Sequence, residues 1–207
     1  LAALEKAADK STVELLSPLT KSDVNGLLRS MDTIRSILTG DPRDVEIRPL
    51  KPGELGIIAA QNTEFYMNEV GLDSAFELFI LENMVKFMKN REKEKAEGWV
   101  VDHNGSVVGF IGVDREDDKT ARIVGLLLQP EFRKMGLARR LMDQALAFCR
   151  ENLYHRVYLW SFPVLRDARR LYEFYGFSPT DEQTRTTWGK EVVVERWDYI
   201  LHDSGEE

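Results

Sequence analysis

The chain has 207 residues, of which 43% are hydrophobic and 30% are charged, and its formal net charge is -7 at pH 7. This length and composition fit one globular domain, or one domain with a helical extension. No apolar run approaches the ~20 residues that span a bilayer, no signal peptide is recognisable, and the negative charge argues against nucleic-acid binding by the whole surface.

Residues 1–40 have the alanine, leucine and charge pattern of helices. Pro18 interrupts the pattern, and Thr20 with Asp23 predicts the capped start of a second helix. The stretch 39–44 ends it with glycine and proline, so we expect a helical segment over 1–40 and a separate domain over 41–207. The segment has too little apolar surface to pack on itself, which favours docking on the main domain or on a second copy.

The first part of the main domain predicts one strand and two helices. The strand begins at Val45, with Val45 and Ile47 on one face and Glu46 and Arg48 on the other. The helices are expected over 51–71 and 73–97, the second with a charged, solvated end.

Further strands are expected over 98–105, 106–117 and 119–130, with a hairpin turn at Asn104-Gly105. The fourteen residues after Gly136 predict an amphipathic helix. A strand over 156–163, a helix over 164–177 and two strands around Gly189 within 184–201 complete the chain. This order predicts an α/β or α+β sheet with helices on its faces.

Positive charge gathers around Gly136, where the amphipathic helix begins: Arg133, Lys134, Arg139 and Arg140 lie within eight residues. A helix start exposes unpaired N–H groups and carries a partial positive charge, so an anion such as a phosphate binds there. The alternative is a surface loop whose arginines are simply solvated.

Two motifs resemble the GCN5-related N-acetyltransferase family. The stretch Arg133-Lys134-Met135-Gly136-Leu137-Ala138 matches its Arg/Gln-x-x-Gly-x-Gly/Ala signature after a strand and before a helix, and 168–177 resembles a late helix of the family. The resemblance covers about 160 residues. It implies a mixed, mostly antiparallel, twisted sheet of about six to seven strands with helices on both faces, and transfer of an acetyl group from acetyl-CoA.

The resemblance also implies which residues bind the cofactor. The pyrophosphate of coenzyme A is expected on the loop amides of Arg133, Lys134, Met135, Gly136, Leu137, Ala138 and Arg139. The pantetheine arm is expected to pair with the backbone of Leu126, Leu127 and Leu128, as an added strand does.

The family's tyrosine, which protonates the departing thiolate, corresponds to Tyr172. Packing on its helix is an equally simple explanation for this residue. Many relatives have an asparagine seven residues before that tyrosine, where this chain has Leu165, so a bond to the pantetheine is either absent or supplied by Ser161.

A finer resemblance involves the N-terminal segment. Residues 17–40 are similar to the last helices of MarR-type winged-helix regulators, which are fused to acetyltransferases in some bacterial proteins. The resemblance implies that residues 1–40 are a remnant of the dimerisation helices. The chain would then bind no DNA by itself, and it would form a homodimer through this segment.

The acceptor is expected to be an amine of a small molecule or a protein. Glu69 and Glu77 lie near the junction of the first two helices and are candidate bases for its proton, unless both are ordinary surface acids. Partial burial is expected for Glu77 between Phe76 and Leu78. Tyr66, Trp160 and Trp188 are candidate walls of the acceptor pocket.

The remaining sequence features concern redox state and metals. The single cysteine, Cys149, has apolar neighbours and suggests an inert buried thiol in a reducing, cytoplasmic compartment, the alternative being a reactive thiol. His103, expected to be solvated, and His155 and His202 lack ligand-spaced partners, so we expect no metal site. A domain that senses acyl-CoA with little turnover is the alternative to an enzyme.

Overall fold

The computed structural model describes residues 45–92 and 96–201, together with 17–20, 23–24, 26–28, 30–31 and 34. The described positions between Asp23 and Ile34 are helical. The Thr20 N–H donates to Asp23 Oδ2 at 2.9 Å and the Asp23 N–H donates to Thr20 Oγ1 at 3.2 Å, which confirms the predicted cap. The first N-terminal helix, the linker over 39–44 and His202 lie outside the described residues.

The strands described between residues 45 and 201 form one seven-stranded sheet in the order β1-β2-β3-β4-β5-β7-β6. Its strands are β1 (Val45–Pro49), β2 (Glu97–His103), β3 (Ser106–Arg115), β4 (Thr120–Leu128), β5 (Arg156–Ser161), β6 (Ser178–Arg185) and β7 (Val192–Ile200). The helices of this part are α1 (Glu54–Glu69), α2 (Ser74–Arg91), α3 (Leu137–Glu151) and α4 (Arg166–Phe174). The predicted fold class is confirmed. The two largest boundary errors are six residues each: α2 ends at Arg91 rather than 97, and β6 begins at Ser178 rather than 184.

Helices cover both faces of the sheet. Adjacent residues of β2 point to opposite faces: Val100 packs in a cluster with α1 and α2 residues, whereas the Trp99 ring lies 5.6 Å from the Phe148 ring of α3. On β7 the Trp197 ring lies 5.9 Å from the Tyr172 ring of α4. α1 and α2 therefore cover one face, and α3 and α4 the other.

Two polar residues are more buried than their sequence positions suggested. Arg48 was expected on the outward face of β1, but its guanidinium donates to Asp102 Oδ2 at 2.8 Å and to Glu54 Oε2 at 3.0 Å. Because these two carboxylates balance its charge, Arg48 is buried, with only 9% of its surface exposed. His103 was expected to be solvated, which is wrong, because it is the last residue of β2 and is buried.

Burial of weak acids predicts a loss of stability at alkaline pH. It raises the pKa of the Cys149 thiol from 9.0 to about 12 and the pKa values of Tyr66, Tyr154 and Tyr158 from 10.0 to about 12. Above pH 9 the unfolded chain therefore loses protons that the folded chain keeps. We expect urea unfolding to give a constant free energy of unfolding up to about pH 8 and a falling one from pH 9 upward.

The variant Cys149→Ala serves as the control for this prediction. Because the tyrosines begin to titrate about one pH unit higher, removing the thiol should flatten the curve between about pH 9 and pH 10 and leave the later fall. A free energy of unfolding that stays constant to about pH 11 in the unmodified protein would contradict the prediction.

Candidate functional site

Strands β4 and β5 separate along their length and open a gap in the sheet. Their parallel pairing is limited to Thr120, Ala121 and Arg122 opposite Arg156, Val157 and Tyr158. Beyond Arg122, in a stretch that is described throughout, β4 pairs with β3 alone. The backbone of Leu126, Leu127 and Leu128 therefore has no strand partner on the side of the gap.

A bulge at Gly125 lies within the separated part of β4. The register of β3 and β4 shifts between Phe110 and Gly112, so that Gly125 and Leu126 lie opposite a single residue. Gly125 has a φ of +67°, and a Cβ at this position would lie 2.9 Å from the Phe110 ring. Only glycine meets both demands, so the bend of β4 is fixed by this residue.

The loop after β4 leads to an uncapped helix start. Lys134 and Gly136 both have positive φ values, of 62° and 76°, and α3 begins at Leu137. No side chain caps the helix, its first turn contains no acidic residue, and its first helical bond runs from the Arg140 N–H to the Gly136 carbonyl. The amides of Leu137, Ala138 and Arg139 are thus left for an anion.

The basic side chains of this loop are exposed but partly engaged. Arg133 donates from Nε to the Leu128 carbonyl at 3.1 Å and lies 5.5 Å from the Phe65 ring. The Arg139 guanidinium lies 4.1 Å from the Phe174 ring. Arg133 therefore ties the end of β4 to the loop, and the backbone amides, rather than the arginine side chains, form the open part of the predicted phosphate site.

A cavity of about 480 Å³ lies where β4 and β5 separate. α1 and α2 form one wall, and the strands with the β6–β7 connection form the other. Its lining is mainly apolar and includes Tyr66, Trp160 and Trp188, which the sequence suggested as pocket walls. The ring centroids of Phe76 and Trp188 lie 4.9 Å apart in an edge contact.

Tyr172 lies behind this cavity rather than in its lining. Its ring is buried against Trp197 and Phe177. Burial raises the pKa of the Tyr172 hydroxyl, the nearby Tyr66 hydroxyl raises it further, and the Ser161 hydroxyl lowers it. Because Tyr66 and Ser161 both line the cavity, the Tyr172 hydroxyl approaches the gap from the opposite face of the sheet.

Ser161, at the end of β5, places a buried hydroxyl beside the gap. Its side chain is 2% exposed, and its Oγ forms no hydrogen bond of standard geometry with any described residue. The Tyr172 hydroxyl is nevertheless close enough for Ser161 to lower its pKa, so the two hydroxyls interact weakly. Ser161 Oγ therefore keeps capacity for a hydrogen bond to a ligand that enters the gap.

Glu69 and Glu77 do not enter the cavity. Both side chains are exposed and neither belongs to the lining, so the partial burial expected for Glu77 is wrong. Apolar residues at both sides of a helical glutamate do not bury it, since neighbours in sequence point in different directions.

Several polar cavity residues were not recognised in the sequence. Among them are Arg122 on β4 and Gln183 and Arg185 on β6. The Arg122 Nη2 donates to Asn83 Oδ1 at 2.8 Å and to Asp114 Oδ2 at 3.2 Å. No motif surrounds any of them, so only the pairing of distant strands brings them to one cavity.

A second depression, of about 740 Å³, lies over β5, β6 and β7. It is open, and its two arginines share one carboxylate: Arg196 Nε lies 2.8 Å from Asp198 Oδ2, and Arg156 Nε lies 3.9 Å from Asp198 Oδ1. It adjoins neither the gap nor the start of α3, so it is not the candidate site. In the described part of the chain we find no cluster of three metal-ligating side chains, and no described helix is long and apolar enough to cross a membrane.

Comparisons with known proteins agree with this geometry. The model of the acetyltransferase (GNAT) family matches residues 60–177. Human N-acetyltransferase 8 is 29% identical over 109 residues, which are 50% of this chain and 48% of that protein. This chain therefore spans about half of that relative.

Solved structures share the fold. An N-acetyltransferase from Staphylococcus aureus Mu50 has a TM-score of 0.64 at 16% identity, over 77% of this chain and 99% of that chain. The acetyltransferase yncA from Salmonella typhimurium, solved with its cofactor acetyl-CoA, has a TM-score of 0.61 at 15% identity, over 79% and 98% of the two chains.

Proposed function

Because the chain belongs to the acetyltransferase (GNAT) family, we propose that it transfers an acetyl group from acetyl-CoA to an amine of a small molecule or a protein. The proposal rests on two features that follow each other along the chain. β4 has no partner strand on one side beyond Arg122, and the loop after β4 ends at the uncapped start of α3. One long ligand with an extended arm and a diphosphate matches these two features in this order.

The described residues fit coenzyme A. The amides of Leu137, Ala138 and Arg139 would bind the diphosphate. Gly136 has no side chain, and no atom lies within 4 Å of the position that its Cβ would take, so there is room beside these amides. The backbone of Leu126 to Leu128 on the side of the gap, apart from the Leu128 carbonyl that accepts from Arg133, would pair with the amide groups of the pantetheine arm. The buried Ser161 hydroxyl, which lies beside that of Tyr172, supplies a further bond near the end of that arm.

The reaction joins the amine nitrogen to the acetyl carbonyl carbon and breaks the bond from that carbon to sulfur. The nitrogen gives up a proton and the sulfur gains one. Backbone N–H groups of β4 that face the gap would stabilise the negative charge on the carbonyl oxygen. Tyr172, whose raised pKa keeps its hydroxyl protonated, would donate the proton to sulfur.

Two features favour direct transfer without an acetylated enzyme. Cys149 is fully buried, and its raised pKa keeps the thiol protonated. Among the residues that line the cavity there is no histidine, lysine, aspartate or glutamate to activate Ser161. Since the lining also offers no carboxylate as a base, water is expected to accept the proton of the amine.

Incubation with acetyl-CoA and a panel of amines tests the proposal. We expect mass spectrometry to detect an acetylated amine and one equivalent of free coenzyme A thiol for each. Calorimetry with acetyl-CoA alone measures binding separately. Binding without acetylation of any amine would argue for a sensor, and absence of both would remove the proposed function altogether.

A further inference from the structure

The cavity next to the gap carries positive charge and contains no acidic side chain. Its lining includes two guanidinium groups, those of Arg122 and Arg185, and no aspartate or glutamate. The additional positive charges of a polyamine or a lysine-rich peptide would therefore be repelled by these guanidinium groups. The lining favours an acceptor that carries a negative group besides its amine.

The uncompensated charge belongs to Arg185. Arg122 lies 3.2 Å from the carboxylate of Asp114, which is fully buried, so its charge is balanced within the protein. Arg185 is exposed at the cavity, donates to the Gln183 side chain, and forms no ion pair with any described residue. Gln183 and Arg185 share one face of β6 because they are two residues apart.

Arg185 lies far from the reacting end of the cavity. Ser161 is paired with Glu195 on β7, whereas Arg185 is paired with Val192, so two strand spacings and three residues along β7 separate them. At ~4.8 Å per strand and ~3.4 Å per residue, their Cα atoms lie about 14 Å apart. An anion at Arg185 is thus well separated from an amine near Ser161.

The wall between these two ends is aromatic. The Phe76 and Phe79 ring centroids lie 5.4 Å apart, and the Trp188 ring lies 5.1 Å from that of Phe79. Phe79 is 40% exposed although it faces the cavity, so an apolar group placed against it would gain burial.

We propose that the acceptor is an amine with an apolar body and a carboxylate at the end remote from the amine, and that Arg185 binds this carboxylate. The inference rests on the proposed function and specifies its substrate class. A guanidinium matches a carboxylate in a two-bond arrangement. A single exposed arginine without helix-start amides suits one negative charge better than the two of a phosphate.

The dipeptide L-phenylalanyl-L-phenylalanine and its C-terminal amide form a matched pair of probes. They share the amine and the apolar body and differ in the remote charge. An extended dipeptide spans ~7 Å, and the long Arg185 side chain reaches toward it across the remaining distance. We expect kcat/KM to be about tenfold higher for the acid, through KM, as one charge-assisted bond at a solvent-open site gives.

The variant Arg185→Gln is expected to reduce the acid-to-amide ratio of kcat/KM to near one, and Arg185→Lys to retain part of it. Arg150→Gln is the matched control, since Arg150 is exposed at the far end of α3 and outside the cavity, and it should keep the ratio. Equal use of acid and amide by the unmodified protein, or an unchanged ratio in Arg185→Gln, overturns the inference.

Acetylation of neither dipeptide also overturns it. Benzylamine and spermidine, tested in parallel with calorimetry of acetyl-CoA, separate this result from failure of the proposed function. If acetyl-CoA binds and one of these amines is acetylated, the substrate class alone is wrong. If calorimetry detects no binding of acetyl-CoA to the protein and no amine is acetylated, the proposed function is wrong as well.

Discussion

Replacement of Gly136 by valine is expected to lower the affinity for acetyl-CoA by at least about 100-fold. The loop at this position presents the first amides of α3, and Gly136 has a φ of +76° with no atom within 4 Å of where its Cβ would stand. A valine side chain would fill that space and strain the turn. Loss of two bonds to a charged diphosphate, about 1.5–3 kcal/mol each, accounts for the size of the effect.

Gly53 provides a closely matched control. It precedes α1 as Gly136 precedes α3, it has a φ of +90°, it lacks a capping side chain, and no atom lies within 4 Å of its Cβ position. Gly53→Val should therefore cost similar backbone strain and a similar shift in unfolding temperature, yet keep the affinity. Calorimetry of both variants distinguishes the two effects, and an unchanged affinity in Gly136→Val would locate the diphosphate elsewhere.

The features that the sequence predicted well are local ones. The start of α3 follows from Gly136 and the apolar spacing after it, and the predicted helix ends within one residue of the observed one. The hairpin at Asn104-Gly105 depends on two adjacent residues, which take the positive φ values that such a turn requires. In each case the deciding interactions lie within a few residues along the chain.

The features that sequence reasoning missed depend on contacts between distant strands. β6 is polar and almost entirely exposed, so it has no apolar alternation to reveal it, and only its pairing with β7 defines it as a strand. Arg185 reaches the cavity through that pairing. Arg48 looked like an outward residue of β1 because its partner Asp102 is 54 residues away.

The separation of β4 and β5 is an intermediate case. A glycine within an apolar strand suggests a bulge or a close approach of other atoms. The reason for Gly125 is nevertheless the Phe110 ring on the neighbouring strand, which leaves no room for a Cβ. The sequence marks the position, whereas the width of the gap and the cavity beside it follow from the strand register.

Removal of the Tyr172 hydroxyl is expected to reduce kcat by about 100-fold, the lower end of the contribution of a positioned general acid. In Tyr172→Phe the ring keeps its contacts with Phe177 and Trp197, so the fold and the affinity for acetyl-CoA should change little. Because the pKa of this hydroxyl is raised above 10.0, it stays protonated as the pH rises, and its contribution to kcat should persist up to about pH 10.

Tyr66→Phe is the matched comparison, since Tyr66 is also a tyrosine whose pKa is raised by burial, and it lines the cavity while Tyr172 does not. Steady-state kinetics with one amine that the protein acetylates should show that kcat falls by less than about tenfold in Tyr66→Phe. A large loss in Tyr66→Phe with little change in Tyr172→Phe would assign the acid to α1 instead of α4. If both variants keep the kcat of the unmodified protein, Tyr172 is a packing residue. The sulfur would then take its proton from water through the open gap.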